Sequence, residues 1–119
     1  MEVKKELDKI LKNRKFLEID NLIFQDFDLP EEMDWDSACE YCKKLKLLGF
    51  ENWRLPTKEE LEIAYENKDK FKNIEDGWYW SITENNKNSS DSWIVNFFYG
   101  NGEWDDKTGS YYAVCVEDL

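Results

Sequence analysis

The densest group of chemically active side chains in the sequence is the acidic segment Gly102-Glu103-Trp104-Asp105-Asp106. Neighbouring carboxylates supply the hard oxygen ligands that calcium requires. An exposed indole beside Asn and Asp side chains can instead stack on a sugar ring or anchor a contact with a partner protein. An acidic, solvated turn without a ligand is the simplest alternative. We assign no metal ligand and take five residues as candidate ligand-binding residues: Asn101, Glu103, Trp104, Asp105 and Asp106.

The three cysteines, Cys39, Cys42 and Cys115, are the next candidates for chemistry. Cys39 and Cys42 have the Cys-x-x-Cys spacing of thiol redox catalysts, which place the pair at a helix N-terminus where the thiolate is stabilised. Here both fall on the predicted buried face of a helix, near acidic residues that would raise the thiol pKa. Three cysteines with a single such spacing also fall short of a zinc site. We therefore expect structural roles for the cysteines and identify no catalytic residue.

Arg54 lies in the segment Trp53-Arg54-Leu55-Pro56-Thr57, just before a predicted helix. Its guanidinium could bind an anionic ligand. Its planar donors equally suit a tie between this turn and a nearby carboxylate or backbone carbonyl groups. Thr57 and Glu60 have the spacing of a capping box, in which each side chain accepts a hydrogen bond from the other residue's amide. We expect Arg54, Thr57 and Glu60 to be structural.

The overall composition limits the classes of function. The 119 residues fit one domain, and the hydrophobic share of 41% is enough for a core. With 16 basic and 27 acidic residues the net charge is -11, which repels nucleic acid and anionic membranes. The absence of histidine removes the commonest general base and zinc ligand. We expect no enzyme activity, no cofactor, and no nucleic-acid or membrane partner; the sequence does not indicate an oligomeric state.

The first half of the chain carries helix and hairpin signals. The apolar spacing predicts an amphipathic helix over residues 1–15, ahead of a domain over residues 16–119. Two β-rich stretches broken at Asp20-Asn21 predict a hairpin. A helix of about three turns is expected to follow Asp34 as N-cap and to end through a left-handed Gly49. The helix that starts at Thr57 should end near Asn67.

The second half is predicted to be antiparallel sheet. Short β segments are expected at residues 78–83, 93–99, 103–105 and 111–116. The polar segment 84–91 contains no apolar residue, which predicts an exposed and mobile loop. Trp93, Val95, Phe97 and Tyr99 alternate with Ile94, Asn96 and Phe98, so if one face of that strand is core the other still exposes bulky groups.

The order of these motifs resembles the bacterial Lcl C-terminal domain family. The resemblance rests on Trp35 to Cys42, on Asn52 to Leu61 with its Trp-Arg-Leu-Pro-Thr, and on three β segments: Trp78 to Ser81, Trp93 to Phe97 and Tyr111 to Val116. The Arg-Leu-Pro-Thr part is also similar to the formylglycine-generating sulfatase-modifying family. Both families imply an α+β, C-type-lectin-like fold with two helices packed on short antiparallel sheets.

The resemblance also implies one long-range contact. It places Cys42 close to Cys115, so oxidation would close a loop of about seventy residues and stabilise the fold by about 4 kcal/mol, whereas reduced thiols would serve as small core hydrophobes. Separately, Gly102 to Asp106 resembles the Trp-Asn-Asp strand end through which calcium-dependent lectins hold calcium and sugar hydroxyls. The second ligand loop of such lectins needs a proline that this chain has only elsewhere, at Pro30 and Pro56.

Three functions of different classes remain. The first is a non-catalytic binding module that recognises a saccharide or a protein through residues 84–91 and 100–108. The second is a protein-interaction or assembly subunit that uses the N-terminal helix. The third is an oxidase of the formylglycine-generating type, which is disfavoured because only Cys115 lies in the region where that family carries a reactive pair. We favour the binding module, and the lack of a visible signal peptide predicts a cytoplasmic location unless the chain is a processed, secreted form.

Overall fold

The computed structural model describes residues 16–27, 29–46 and 49–119. Two α-helices and two three-stranded antiparallel sheets form this part of the chain, as predicted for an α+β fold. The helix predicted for residues 1–15 lies outside the described residues. In chain order the elements are β1 (Phe16–Ile19), β2 (Leu22–Gln25), α1 (Trp35–Lys43), α2 (Lys58–Glu66), a 3-10 helix (Lys68–Lys70), β3 (Trp78–Asn85), β4 (Asn88–Asn96), β5 (Gly102–Asp106) and β6 (Val116–Asp118).

The first sheet has the order β1-β2-β6. Its hairpin turns at Asp20-Asn21, and Asp20 has a left-handed φ of 56°, a conformation that Asp tolerates better than most residues. The predicted N-terminal hairpin is therefore confirmed. Because β2 pairs with both β1 and β6, the first and last strands of the described chain lie in one sheet.

Both predicted helix starts are present. The Asp34 carboxylate accepts a hydrogen bond from the Ser37 amide at 2.9 Å, and Thr57 with Glu60 forms the reciprocal capping box. The predicted exit of α1 at Gly49 is wrong. The amide of Lys44 donates to the Glu40 carbonyl at 3.0 Å, which closes the last turn in right-handed geometry well before Gly49.

The second sheet has the order β3-β4-β5. The mobile loop predicted for residues 84–91 is instead the end of a β-hairpin, with only Asn86 and Lys87 in the turn. Backbone pairing does not need apolar side chains, and β4 is also held on its other side. The Lys107 amide donates to the Ser90 carbonyl at 2.9 Å, and the Lys107 ammonium donates to the Ser89 carbonyl at 2.6 Å. The segment is exposed, as predicted.

The single strand predicted for residues 111–116 is also wrong, because this segment passes from one sheet to the other. Tyr112 pairs with β3, where its carbonyl accepts from the Trp80 amide at 3.0 Å. The Cys115 carbonyl then accepts from the Gln25 amide at 3.0 Å, and β6 begins only at Val116. The segment thus joins the two sheets across the core.

Two hydrophobic clusters lie on opposite faces of β4. Ile94 belongs to the cluster that α1 covers, together with Trp80, whereas Val95 belongs to the cluster that α2 covers. Both residues are fully buried, so the prediction that one face exposes bulky groups is wrong at these positions, although Trp93 on the Val95 face is only half-buried. Exposed aromatic rings occur just beyond the strand end, at Phe98 and Tyr99.

A disulfide joins α1 to the final segment. Cys42 and Cys115 are bonded, with their Cα atoms 5.5 Å apart, and both are fully buried. The proximity implied by the family resemblance is therefore confirmed.

Candidate functional site

An open groove of about 570 Å³ lies between the N-terminus of α2 and the end of the β3–β4 hairpin. We call it the hairpin groove. It brings together Trp104 and the first part of the polar segment 84–91, which the sequence predicted as parts of one contact surface. Its lining consists of Lys58, Glu59, Thr83, Glu84, Asn85, Asn86, Lys87 and Trp104.

The two walls of the hairpin groove are tied to each other. The amide of Lys58, one of the free N–H groups of the first helical turn, donates to Thr83 Oγ1 at 2.9 Å. Close by, the Ile82 amide donates to the Pro56 carbonyl at 2.8 Å. These bonds fix the start of α2 against β3, so the surface of the groove is largely preformed.

Trp104 is held in the hairpin groove by its neighbour across the sheet. The rings of Trp93 and Trp104 meet edge to face, with centroids 5.0 Å apart, and the Lys58 ammonium lies 4.2 Å from the centre of the Trp93 ring. Gly102 makes this packing possible, since a Cβ there would lie 2.5 Å from the Trp93 indole nitrogen. Trp104 remains 39% exposed and presents its indole in a defined position.

The hairpin groove carries both signs of charge. Lys58 and Lys87 lie on it with Glu59 and Glu84. The Glu84 carboxylate is engaged by the Lys107 ammonium at 2.6 Å. The remaining lining is neutral and polar, so the surface suits hydrogen bonding around one aromatic ring rather than capture of a strongly charged ion.

Asp105 and Asp106 stabilise the chain around them. The Tyr111 hydroxyl donates to the Asp105 carboxylate, and this hydrogen bond, with burial, raises the pKa of Tyr111 to about 12. Asp106 Oδ1 accepts from the Thr108 amide at 2.9 Å and from its hydroxyl at 2.7 Å, which lowers the pKa of Asp106. Successive strand residues point to opposite faces, so the two carboxylates do not form a chelating pair. Within residues 16–27, 29–46 and 49–119, no group of three or more Cys, Asp or Glu side chains could hold a metal ion.

The five predicted ligand-binding residues do not form one site. Asn101 precedes β5 and Asp106 ends it, so these two lie at opposite ends of the strand. Glu103 and Asp105 point to the face opposite Trp104. Only Trp104 lines the hairpin groove. Nothing in the sequence pattern had indicated the contribution of Lys58 and Glu59, which belong to the first turn of α2.

The expected structural contacts of Arg54 are present. Its guanidinium binds both carboxylate oxygens of Glu60, at 2.6 and 3.0 Å, and also reaches Asp118 at 3.3 Å. The hydrogen bond to Glu60 is the main cause that raises the pKa of Arg54. Burial alone would raise the pKa of Glu60, but the bonds from Arg54 and Thr57 outweigh it and lower that pKa. Arg54 therefore ties the turn before α2 to the helix itself.

Cys39 remains a free thiol on the half-buried side of α1. Burial, and secondarily the charge of Asp36, raises its pKa to about 11. At neutral pH the thiol keeps its proton, so it is a poor nucleophile. None of the helices among the described residues is long and apolar enough to cross a membrane.

Comparisons with known proteins agree with this architecture. A family model described as the Lcl C-terminal domain matches residues 5–117. A crystal structure of botrocetin is similar with a TM-score of 0.63 and 13% identity, covering 88% of this chain and 97% of that chain. Botrocetin in a complex with a mutant von Willebrand factor A1 domain gives a TM-score of 0.57, with 13% identity and the same coverage of 88% and 97%. At this identity the similarity establishes a C-type-lectin-like fold only. A comparison with curated protein sequences found no match.

Proposed function

Because the chain belongs to the Lcl C-terminal domain family, with a C-type-lectin-like fold, we propose that it is a non-catalytic binding module that recognises a protein ligand at the hairpin groove. One observation carries the proposal. Trp104 is a part-exposed indole, held against Trp93 and surrounded by polar and charged side chains. A fixed aromatic ring inside a polar rim is the arrangement found at the energetic centre of protein interfaces.

The character of the lining favours a protein over a small ligand. The hairpin groove is open, and it offers cations, anions and amides side by side. Mixed polar groups around an aromatic anchor match the surface of another protein. A C-type-lectin-like neighbour, botrocetin, is described in complex with a protein domain, which supports this use of the fold.

A saccharide is the second candidate ligand. Trp104 lies on the same groove as the side chains of Asn85 and Asn86. An aromatic face beside amide groups can stack on a sugar ring while the amides bond its hydroxyls.

The states of the reactive groups support a non-catalytic role. Cys42 and Cys115 are joined, and the Cys39 thiol is protonated at neutral pH. The Glu60 carboxylate is occupied by Arg54, and that of Asp105 is occupied by Tyr111. Apart from Cys39, which keeps its proton, each of these groups has a structural partner that competes with chemistry on a substrate.

The test compares two aromatic truncations of the full chain on a protein array and on a glycan array. Trp104→Ala removes the proposed anchor, and Tyr99→Ala is the matched control because Tyr99 is 76% exposed at the other end of β4. Loss of an interface anchor costs about 2 kcal/mol, so retention of the protein ligand should fall more than tenfold for Trp104→Ala and stay unchanged for Tyr99→Ala. Thermal melting checks that both variants fold.

Two results would contradict the proposal. One is retention that depends on Tyr99 and not on Trp104. The other is the absence of any retained ligand on both arrays. A signal confined to the glycan array and lost in Trp104→Ala would keep the groove and replace the protein ligand by a saccharide.

A further inference from the structure

Strand β5 forms the outer edge of the second sheet. The Asn96 amide donates to the Asn101 carbonyl at 2.8 Å, and the Lys107 amide donates to the Ser90 carbonyl at 2.9 Å. In an antiparallel pair, directly opposed residues alternate between bonded and non-bonded pairs. The register therefore turns the backbone groups of Glu103 and Asp105 towards β4, and those of Gly102 and Trp104 away from it.

This outward edge is open at one end and closed at the other. At Asp106 the amide donates to Asp105 Oδ1 at 2.9 Å, and the carbonyl accepts from the Gly109 amide at 2.9 Å. For Gly102 and Trp104 no partner of the outward N–H and C=O groups is found in the part of the chain that the structure describes. Four backbone groups are thus available to another strand, and an exposed strand edge of this kind can pair with a further chain.

The charge of the edge indicates what kind of strand fits. Glu103 is exposed and Asp105 half-buried on one face of β5. With Glu32 they form a negative field that contributes to the raised pKa of Tyr111. Lys107, the cation that follows β5, is already engaged by Glu84. A strand with basic side chains at alternate positions would place them beside these carboxylates.

We propose that an extended, basic segment of a partner protein pairs with the outer edge of β5 and adds a fourth strand to the second sheet. Its backbone bonds Gly102 and Trp104, and its alternate Lys or Arg side chains face Glu103 and Asp105. Its other side chains face the Trp104 side of the sheet. The inference rests on the proposed function, since it names the part of the protein ligand that would lie next to the hairpin groove.

The experiment uses the full chain labelled with ¹⁵N and a synthetic capped nonapeptide of alternating Lys and Val at millimolar concentration. Amide hydrogen exchange is followed by NMR. We expect exchange of the Gly102 and Trp104 amides to slow at least about tenfold. Exchange at Glu103 and Asp105 should change little, because those amides already bond to β4.

Three controls make the test specific. The same peptide with Glu in place of Lys should give no protection. Two further Lys peptides carry N-methyl groups on alternate residues, one on the odd and one on the even positions. Only the peptide whose methyl groups block the amides that face β5 should lose protection. Glu103→Lys should weaken the response to the Lys peptide. Unchanged exchange at Trp104 with the Lys peptide, or equal protection by the Lys and Glu peptides, would overturn the inference.

Failure of this inference can be separated from failure of the proposed function. Trp104→Ala keeps its backbone N–H, so the Lys peptide should still protect that amide while the array ligand is lost. If Trp104→Ala loses the array ligand but the Lys peptide protects no amide in the parent chain, the edge pairing is refuted and the hairpin groove is supported. If the Lys peptide protects Gly102 and Trp104 but the array ligand is retained equally by the parent chain and by Trp104→Ala, the edge pairing is supported and binding at the hairpin groove is refuted.

Discussion

The pair formed by Arg54 and Glu60 gives the sharpest test of the structural interpretation. The Arg54 guanidinium donates two hydrogen bonds to the Glu60 carboxylate, at 2.6 and 3.0 Å, and Glu60 also accepts the Thr57 amide at 2.9 Å. Glu60→Gln keeps an acceptor for the capping box but removes the charge. Arg54→Met keeps most of the aliphatic part of the side chain and removes the guanidinium group.

The expected magnitude follows from exposure. The side chains of Arg54 and Glu60 are 32% and 16% exposed, which places the pair between a surface ion pair and a buried one. Surface pairs contribute about 0.2–1 kcal/mol and hydrogen bonds to charged groups about 1.5–3 kcal/mol. We therefore expect Glu60→Gln to lower the free energy of unfolding by about 1.5 kcal/mol, or the melting temperature by about 5 °C.

Urea unfolding followed by tryptophan fluorescence measures this change, and a double-mutant cycle isolates the pair. The coupling energy between Arg54→Met and Glu60→Gln should be about 1 kcal/mol. The lowered pKa of Glu60 adds a pH signature. In the folded chain the Glu60 carboxylate stays ionised at pH values where the same group in the unfolded chain binds a proton. The stability that Glu60 contributes is therefore fully present above about pH 4.3, the usual pKa of Glu, and is lost as the pH falls through the lower pKa of the folded state.

Additive effects of the two substitutions, or an unchanged stability in Glu60→Gln, would refute this reasoning. Arg54 would then be free of its structural tie, and an anionic ligand would again be a reasonable partner for it.

Three further predictions concern other parts of the fold. Replacing Cys42 and Cys115 together by Ala should lower the free energy of unfolding by about 4 kcal/mol, since the disulfide closes a sequence separation of 73 residues; an equal stability under reducing and oxidising conditions would contradict this. Gly102→Ala should cost about 1–3 kcal/mol in thermal unfolding, because the added Cβ meets an indole at 2.5 Å. A spectrophotometric titration should show that Tyr111 ionises near pH 12 in the parent chain and at a lower pH in Asp105→Asn. Because the unfolded chain ionises near pH 10, the stability that this hydrogen bond contributes should be lost as the pH rises above about 10.

Local signals in the sequence were sufficient for much of the fold. Asp20-Asn21, Asp34 and the pair Thr57 with Glu60 each act through bonds within a few residues, so their spacing predicts the turn and both helix starts. The family resemblance supplied the long-range contact between Cys42 and Cys115, which no local pattern contains.

The errors have a common physical origin in backbone pairing between distant segments. Residues 84–91 lack apolar side chains, yet they form strand because β4 pairs with both β3 and β5. The segment 111–116 has a strand-like composition, yet its ends bond to different sheets. Pairing partners of this kind depend on the whole chain and leave little trace in local composition.

The candidate site was only partly predictable for the same reason. The sequence predicted that the segments 84–91 and 100–108 share a contact surface, but not which of their residues meet or that α2 completes it. Their meeting in one groove depends on α2, whose start is fixed to Thr83 by a backbone amide. The sequence indicated Asp105 and Asp106 as ligand-binding residues, whereas in the structure Tyr111 and Thr108 donate hydrogen bonds to their carboxylates.

The most direct test of the binding-module account is a hydrogen–deuterium exchange footprint of the full chain with the ligand retained on the array. The account predicts protection at the start of α2, in the turn between β3 and β4, and around Trp104. Protection confined to Phe98 and Tyr99, or to the exposed face of α1, would contradict it.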